Sequence, residues 1–223
     1  MSKPILYYAT LSPPSRTVLL TAKEIGLELD LCPISLFENE HLTHDFVKKN
    51  PQHTIPVLED NGVFIFDSHA ICSYLIDKYA KDDKLYPKDL VRRAAVQSRM
   101  YFETSYLFGR LHLLYEPIIF FGSPKLPEDT LESIREALDI VEAFLEGGPY
   151  VSGNDLTLAD FCCVTTISSM EEPTIPTQAR HPKVMAWMKR MATLPYYKVA
   201  NYFGAEELKQ LYRENLVKNR TNV

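Results

Sequence analysis

The chain has 223 residues, 24% of them charged and 46% hydrophobic, and carries a net charge of −5. That composition belongs to a globular protein large enough to bury one sizeable core or two modest ones. The acidic balance and the scatter of Lys and Arg argue against a nucleic acid or a membrane surface as partner, since both call for clustered basic residues.

No stretch has the apolar length of a membrane span. The opening run, Met1 to Tyr8, turns polar too early for a signal peptide. The cysteines Cys32, Cys72, Cys162 and Cys163 form no Cys-x-x-Cys pair, and a chain of this size needs no disulfide framework. A reduced, cytoplasmic protein is expected.

Pro4 to Tyr8 is an apolar run suited to a buried strand. Val18, Leu19, Ala22 and Ile25 follow at helical spacing from about Pro14, and Gly26 closes that helix. Glu28 to Ile34 alternates like a half-buried strand, and a second helix is expected over roughly 42–49. Ile55–Glu59 and Val63–Phe66 read as strands joined by Asp60-Asn61-Gly62, in which Asn-Gly is a strong hairpin signal. Ser68 reads as the N-cap of a third helix with Ile71, Leu75, Ile76 and Tyr79 on its stripe. The order β-α-β-α-β-β-α, with parallel pairing and one antiparallel hairpin, gives a thioredoxin-like α/β domain over 1–82.

Residues 83–88 read as a linker, after which strand signals vanish and an all-helical domain is expected over 89–223. Helical stripes run over about 89–119 and 128–145, the latter marked by Leu131, Ile134, Leu138, Val141 and Leu145. Further helices start near Thr157 and after Pro182, and a last one covers about 205–217.

Three corners at one end of the α/β domain could carry chemistry. Ser12-Pro13-Pro14-Ser15-Arg16 lies where redox proteins of this architecture place two cysteines at a helix N-terminus. Serines cannot exchange disulfides, but Ser12 can donate a hydrogen bond to a thiolate brought by another molecule; alternatively it only caps the helix. In Asn50-Pro51-Gln52-His53-Thr54-Ile55-Pro56, a cis Ile55–Pro56 bond would free the backbone of Ile55 to pair with an extended peptide. The alternative is an ordinary trans X-Pro edge strand. Asp67-Ser68-His69-Ala70-Ile71 offers a helix N-terminus for a carboxylate and an acid for an ammonium group, or simply a cap.

Together with Gly153-Asn154-Asp155-Leu156-Thr157-Leu158-Ala159-Asp160, whose Thr157 and Asp160 have capping-box spacing, these segments resemble the cytosolic glutathione transferases along nearly the whole chain. The insect epsilon class is the nearest match and the delta class the next. The resemblance implies a transferase that joins glutathione, its co-substrate, to hydrophobic electrophiles in xenobiotic or insecticide detoxification, with dehydrochlorinase or peroxidase side activity. It implies that Ser12 hydrogen-bonds the glutathione sulfur. His41 and His53 would contact the glycyl end, and Ile55 would pair its backbone with the cysteinyl residue, after a cis-Pro56. Asp67 and Ser68 would hold the γ-glutamyl end, although many relatives carry Glu where this chain has Asp67, and Thr54 and His69 would complete the glutathione-binding set.

The aromatic-rich stretch from Tyr101 to Phe121 puts Phe108, Leu111 or His112, and Tyr115 on one helical face. Such a stripe is by itself more often core than pocket. The resemblance makes it the acceptor site, walled also by Pro14, Leu36, Phe120, Leu208 and Tyr212, with His112 where some relatives have Arg. It further implies a homodimer, with Tyr101 and His69 at the interface. No Cys/His cluster has metal-ligand spacing, so no metal is expected, and the charge balance leaves neither nucleic acid nor membrane as an expected partner. His44 and His181 are expected to be surface or structural. The competing readings are a non-catalytic carrier of hydrophobic ligands, a glutaredoxin-like reductase and an interaction domain of the kind fused to translation factors.

Overall fold

The computed structural model describes residues 3–221, so the outer limits of the two expected domains, residues 1–2 and 222–223, lie outside the described residues. Strand β1 (Ile5–Tyr8) leads into helix α1 (Pro13–Glu24), which starts on two prolines suited to its first turn. Strand β2 (Asp30–Pro33) pairs in parallel with β1. A 3-10 turn (Glu40–Leu42) and helix α2 (His44–Val47) then precede strands β3 (Val57–Asp60) and β4 (Val63–Phe66) and helix α3 (Ser68–Tyr79). The Asn61-Gly62 turn takes positive φ at both residues, +50° and +81°, as its sequence requires.

The sheet order is β2-β1-β3-β4. Parallel pairing is confined to β1 and β2, for β3 runs antiparallel to β1 as well as to β4. The expectation of one antiparallel hairpin in a parallel sheet is corrected here. The reason is the length of α2: four residues rise about 6 Å, too little to carry the chain back along the sheet for a parallel crossover. The chain therefore stays at the end where β2 finished. In consequence the exits of β1 and β4 and the entry to β3 share one edge of the sheet.

The second half is helical. Helix α4 (Leu90–Phe102) passes through a π-helical turn (Glu103–Phe108) into α5 (Gly109–Phe120). The single regular helix expected over 89–119 is thus interrupted. Beyond it come α6 (Glu128–Phe144), α7 (Leu158–Ile167), α8 (Pro182–Met191), a second π-helical turn (Lys198–Tyr202) and α9 (Phe203–Thr221). Every residue of α7 is buried, which makes it the axis of the helical layer. Helix α1 packs on α3 and on α7, and so joins the two halves.

The start of α7 is held by Asp160. Its carboxylate accepts from the amides of Val151 and Thr157 and from Trp187 Nε1, each at 2.9 Å, and from the Thr157 hydroxyl at 3.1 Å. Replacing Asp160 by Ala orphans three buried N–H donors, at about 1–3 kcal/mol apiece. Calorimetry of Asp160→Ala should therefore show a loss of more than about 3 kcal/mol in unfolding free energy; a melting temperature near that of the parent chain would contradict it.

Candidate functional site

Ser12 is the N-cap of α1, and its side-chain oxygen accepts the Ser15 amide at 3.3 Å. That bond occupies a lone pair and leaves the hydroxyl proton free for another acceptor. Ser15, the second position of the corner, is fully buried; its oxygen lies 3.5 Å from the Ala9 amide, so it braces the loop from within.

The Ile55–Pro56 bond is cis. Pairing of β3 with β1 begins at Val57, which leaves the main chain of Ile55 outside the ladder. Upstream, Asn50 supports the loop: its amide donates to the Thr54 carbonyl at 2.9 Å and its oxygen accepts the Gln52 amide at 2.9 Å.

At the third corner the N-cap is Asp67, not Ser68. Asp67 Oδ1 accepts from the amides of His69 and Ala70 at 2.9 and 3.1 Å, and Ser68 is the first helical residue, 5% exposed. The correction follows from the backbone: Asp67 has φ +72°, which turns its carboxylate back over the helix end. Its other oxygen, Oδ2, takes no part in that cap.

These corners open into one cavity of about 820 Å³. Ser12, His41, His53, Thr54, Ile55, Pro56, Asp67, Ser68 and His69 line it. So do Pro14, Leu36, Phe108, Leu111, His112, Tyr115, Phe120 and Leu208. Tyr212 does not. Its ring stacks behind that of Tyr115 at 4.3 Å, and it is 1% exposed. Tyr115 takes the place at the wall because its hydroxyl is tied to the Ser169 carbonyl at 2.9 Å, leaving only its ring to the cavity.

The α/β half gives the cavity most of its polar lining, the helical half gives it mainly apolar and aromatic walls, and Ser12 is among the lining residues. Three of the non-glycine residues with positive φ, Asn39, His53 and Asp67, line it, and backbone held in that region marks sites where geometry outweighs local ease. His41 Nδ1 is buried without a hydrogen-bond partner among the described residues. Burial, and then the nearby His53, hold the His41 imidazole below the usual histidine pKa. No cysteine lines the cavity. Cys72, Cys162 and Cys163 are buried elsewhere, and burial pushes the Cys72 thiol up to about 12. Exposed Phe37 stacks on Phe120, a lining residue, at 5.5 Å, and His112 sits 3.4 Å from Glu116.

Sequence reading missed Glu103, Thr104, Glu116, Ile119 and Phe121 on the helical side of the cavity, and Leu11, Asn39, Leu42 and Gln52 on the other. It also missed Phe37. The chief omission is Glu103, a buried acid whose Oε2 lies 3.2 Å from His69 Nε2 and whose Oε1 receives the Thr166 hydroxyl. The π-helical turn presents it, and its being one of only two acids in the aromatic-rich stretch 101–121 is the only available signal. Tyr101 is exposed, while His69 pairs with Glu103 and is mostly covered within the chain. His44 is exposed, and His181 is buried 3.1 Å from Asp139. Among the described residues no helix is long and apolar enough to cross a membrane, and no group of acids, histidines and cysteines could hold a metal ion.

Two family models match the chain: glutathione S-transferase, N-terminal domain, over residues 6–83, and glutathione S-transferase, C-terminal domain, over residues 101–195. Glutathione S-transferase 1 of Manduca sexta is 38% identical over 213 residues, covering 95% of this chain and 98% of that protein. An epsilon-class glutathione S-transferase from the housefly, Musca domestica, is 42% identical, with a TM-score of 0.93 over 96% of this chain and 98% of its own. A glutathione transferase homologue from Drosophila mojavensis, solved with bound glutathione, is 45% identical, with a TM-score of 0.94 over 96% and 98% of the two chains.

The pair across the two halves makes a pH-dependent prediction. Burial disfavours charge on His69, yet the Glu103 hydrogen bond and the charges of Glu103 and Asp67 outweigh it and hold the imidazole above its ordinary pKa. A raised folded pKa gives stability that is complete below the unfolded value, about 6.5, and lost as pH climbs through the folded value. Glu103→Gln should therefore cost about 1.5–3 kcal/mol at pH 6 and less at pH 9. Equal losses at both pH values in denaturant titrations would refute the charged pair.

Proposed function

The chain belongs to the glutathione S-transferase family, and from that premise we propose that Ser12 activates glutathione at the centre of the cavity for attack on hydrophobic electrophiles. The observation that carries the reading is the Ser12 hydroxyl itself. Its oxygen is committed to α1, its proton has no acceptor among the described residues, and it lines the cavity shared by the polar corners and the aromatic walls.

In this reading the tripeptide extends along the polar corners. The γ-glutamyl ammonium meets Asp67 Oδ2, and its carboxylate meets Ser68 at the start of α3, where the positive end of the helix dipole favours an anion. The main chain of Ile55 pairs with the cysteinyl residue. The glycyl carboxylate supplies the partner that buried His41 Nδ1 lacks, with His53 beside it.

The sulfur then rests at Ser12. A free thiol with pKa about 8.5 is only a few per cent thiolate at pH 7. Bringing it down by about two units makes thiolate the majority form and requires roughly 2.7 kcal/mol. One charge-assisted hydrogen bond of about 1.5–3 kcal/mol, with the helix N-terminus adding about 0.3–1, covers that amount. With an organohalide the thiolate attacks carbon, the C–S bond forms and the carbon–halogen bond breaks, halide leaving with the electron pair. With an enal the C–S bond forms as the C=C pair shifts to an enolate, which takes a proton from water. In elimination the thiolate takes a proton from carbon, the C=C bond forms and chloride leaves with its electron pair.

The acceptor is a bulky, mainly apolar molecule held by Pro14, Leu36, Phe108, Leu111, Tyr115, Phe120 and Leu208. The His112–Glu116 pair is the polar feature of those walls. Organohalides and lipid-derived enals suit such walls, which fits detoxification, including insecticide breakdown by elimination of chloride. Tyr212 supports Tyr115 rather than touching the acceptor. We place the glutathione domain at 1–82 and the acceptor domain at 89–223, in a cytoplasmic homodimer. Exposed apolar side chains on β4 (Val63, Phe66) and α4 (Leu90, Val91, Tyr101) support self-association.

The test is a thiol-conjugation assay on a panel of electrophiles. Ser12→Ala should keep the KM for glutathione within about threefold and lower kcat about 10- to 150-fold, the equivalent of one charge-assisted hydrogen bond. Unchanged turnover would take Ser12 out of the mechanism, and no conjugation by the parent chain on any electrophile would take away the reading.

A further inference from the structure

Arg16 stands at the seam between the two halves, 1% exposed, and no carboxylate forms an ion pair with it among the described residues. Its Nη1 donates to the Asn201 carbonyl at 3.1 Å. Its Nη2 donates to the Thr165 carbonyl at 3.3 Å and to Ser169 Oγ, and its Nε is buried without a partner. Beside it, the hydroxyls of Thr17 and Thr165 lie 2.8 Å apart. The main-chain amide of the same residue donates to the Ser12 carbonyl at 3.1 Å. Arg16 thus holds the cap residue with its backbone and the helical half with its side chain.

The loop before Ser12 is gripped from the other side. The Thr10 hydroxyl donates to Glu207 at 2.7 Å. Gly204, at the start of α9, approaches so closely that a Cβ there would sit 2.1 Å from the Thr10 carbonyl oxygen and 2.9 Å from Arg16 Cδ. The corners that would hold the ends of glutathione, by contrast, are built on elements of the α/β half. Packing alone does not account for Arg16, because a guanidinium buried among neutral acceptors is a costly way to join two helices that apolar side chains could join.

We infer that Arg16 is a positioning residue: by locking α1 onto α7 and the turn before α9, it keeps the Ser12 hydroxyl on the glutathione sulfur, so that the helical half governs thiolate formation in the other. The inference rests on the function proposed above. The titratable groups facing the guanidinium are Tyr197 and Glu207. Those around Ser12 are His41, His53, Asp67, the His69–Glu103 and His112–Glu116 pairs, and Tyr115. None of them is changed by substitution at Arg16 or at its acceptor.

The test is a pH titration of the thiolate absorbance of glutathione bound to the full chain, with kcat and KM for glutathione measured alongside. The variants are Arg16→Gln, Arg16→Lys and Ser169→Ala. In Arg16→Gln the midpoint should rise by about one pH unit, which lowers the thiolate fraction at pH 7, and with it neutral kcat, about threefold, while KM changes less than about twofold. Ser169→Ala, the milder change in the helical half, should move the midpoint the same way by a smaller step. Arg16→Lys should recover less than half of the loss, since an ammonium lacks the fork that reaches both α7 and Asn201. Full recovery by Lys would make charge rather than docking the agent and overturn the inference. So would variants that melt earlier yet titrate where the parent does. A parent chain that yields no thiolate signal with glutathione would remove the proposed function and this inference with it.

Discussion

A hydroxyl accepts and donates at once, and the proposed chemistry depends on how Ser12 divides those two capacities. Its oxygen closes the first turn of α1 by taking the Ser15 amide. The proton left over has no acceptor among the described residues, so it is available to the cavity that Ser12 lines. Capping and activation are therefore one arrangement: a side chain free to rotate would offer its proton in many directions, and the cap selects among them. The same helix carries the joint to α7 in the following turn, so the cap, the helix and the seam between the halves form a continuous mechanical unit.

The rest of the site follows from which edge of the sheet the chain keeps returning to. Because α2 is short, β3 enters from the end at which β1 and β4 leave. Three unrelated corners are brought together there without any long loop. Each corner is held by a local device: two prolines and a cap at Ser12, the Asn50 side chain below Ile55, and a left-handed Asp67 over α3. The helical half closes the cavity with aromatic walls and adds Glu103 from its π-helical turn.

Much of this was legible in the sequence. The element order, the Asn61-Gly62 hairpin and the set of residues around the cavity came from periodicity, turn chemistry and resemblance. What escaped has physical reasons. A π-helical turn inserts a residue without disturbing the apolar stripe on either side, so 89–119 reads as one helix although Glu103–Phe108 departs from it. Asp67 and Ser68 are both good caps, and only the backbone torsion decides between them. Tyr212 has the right helical phase for the cavity wall, but Tyr115 stands in front of it. Arg16 lay inside a quoted motif, and nothing in its neighbours along the chain announced that its partners are 149 to 185 residues away.

Cys72, Cys162 and Cys163 are sealed in the core, and the half-buried Cys32 is not among the residues lining the cavity, which has a consequence for the working life of such a catalyst. If the reactive sulfur arrives with each tripeptide and departs in each product, an oxidant or an irreversible alkylating agent that enters the cavity consumes a dispensable molecule and leaves no thiol of the cavity wall marked. The site would then keep no chemical record of past turnovers, and its output would track the supply of the tripeptide rather than the age of the chain.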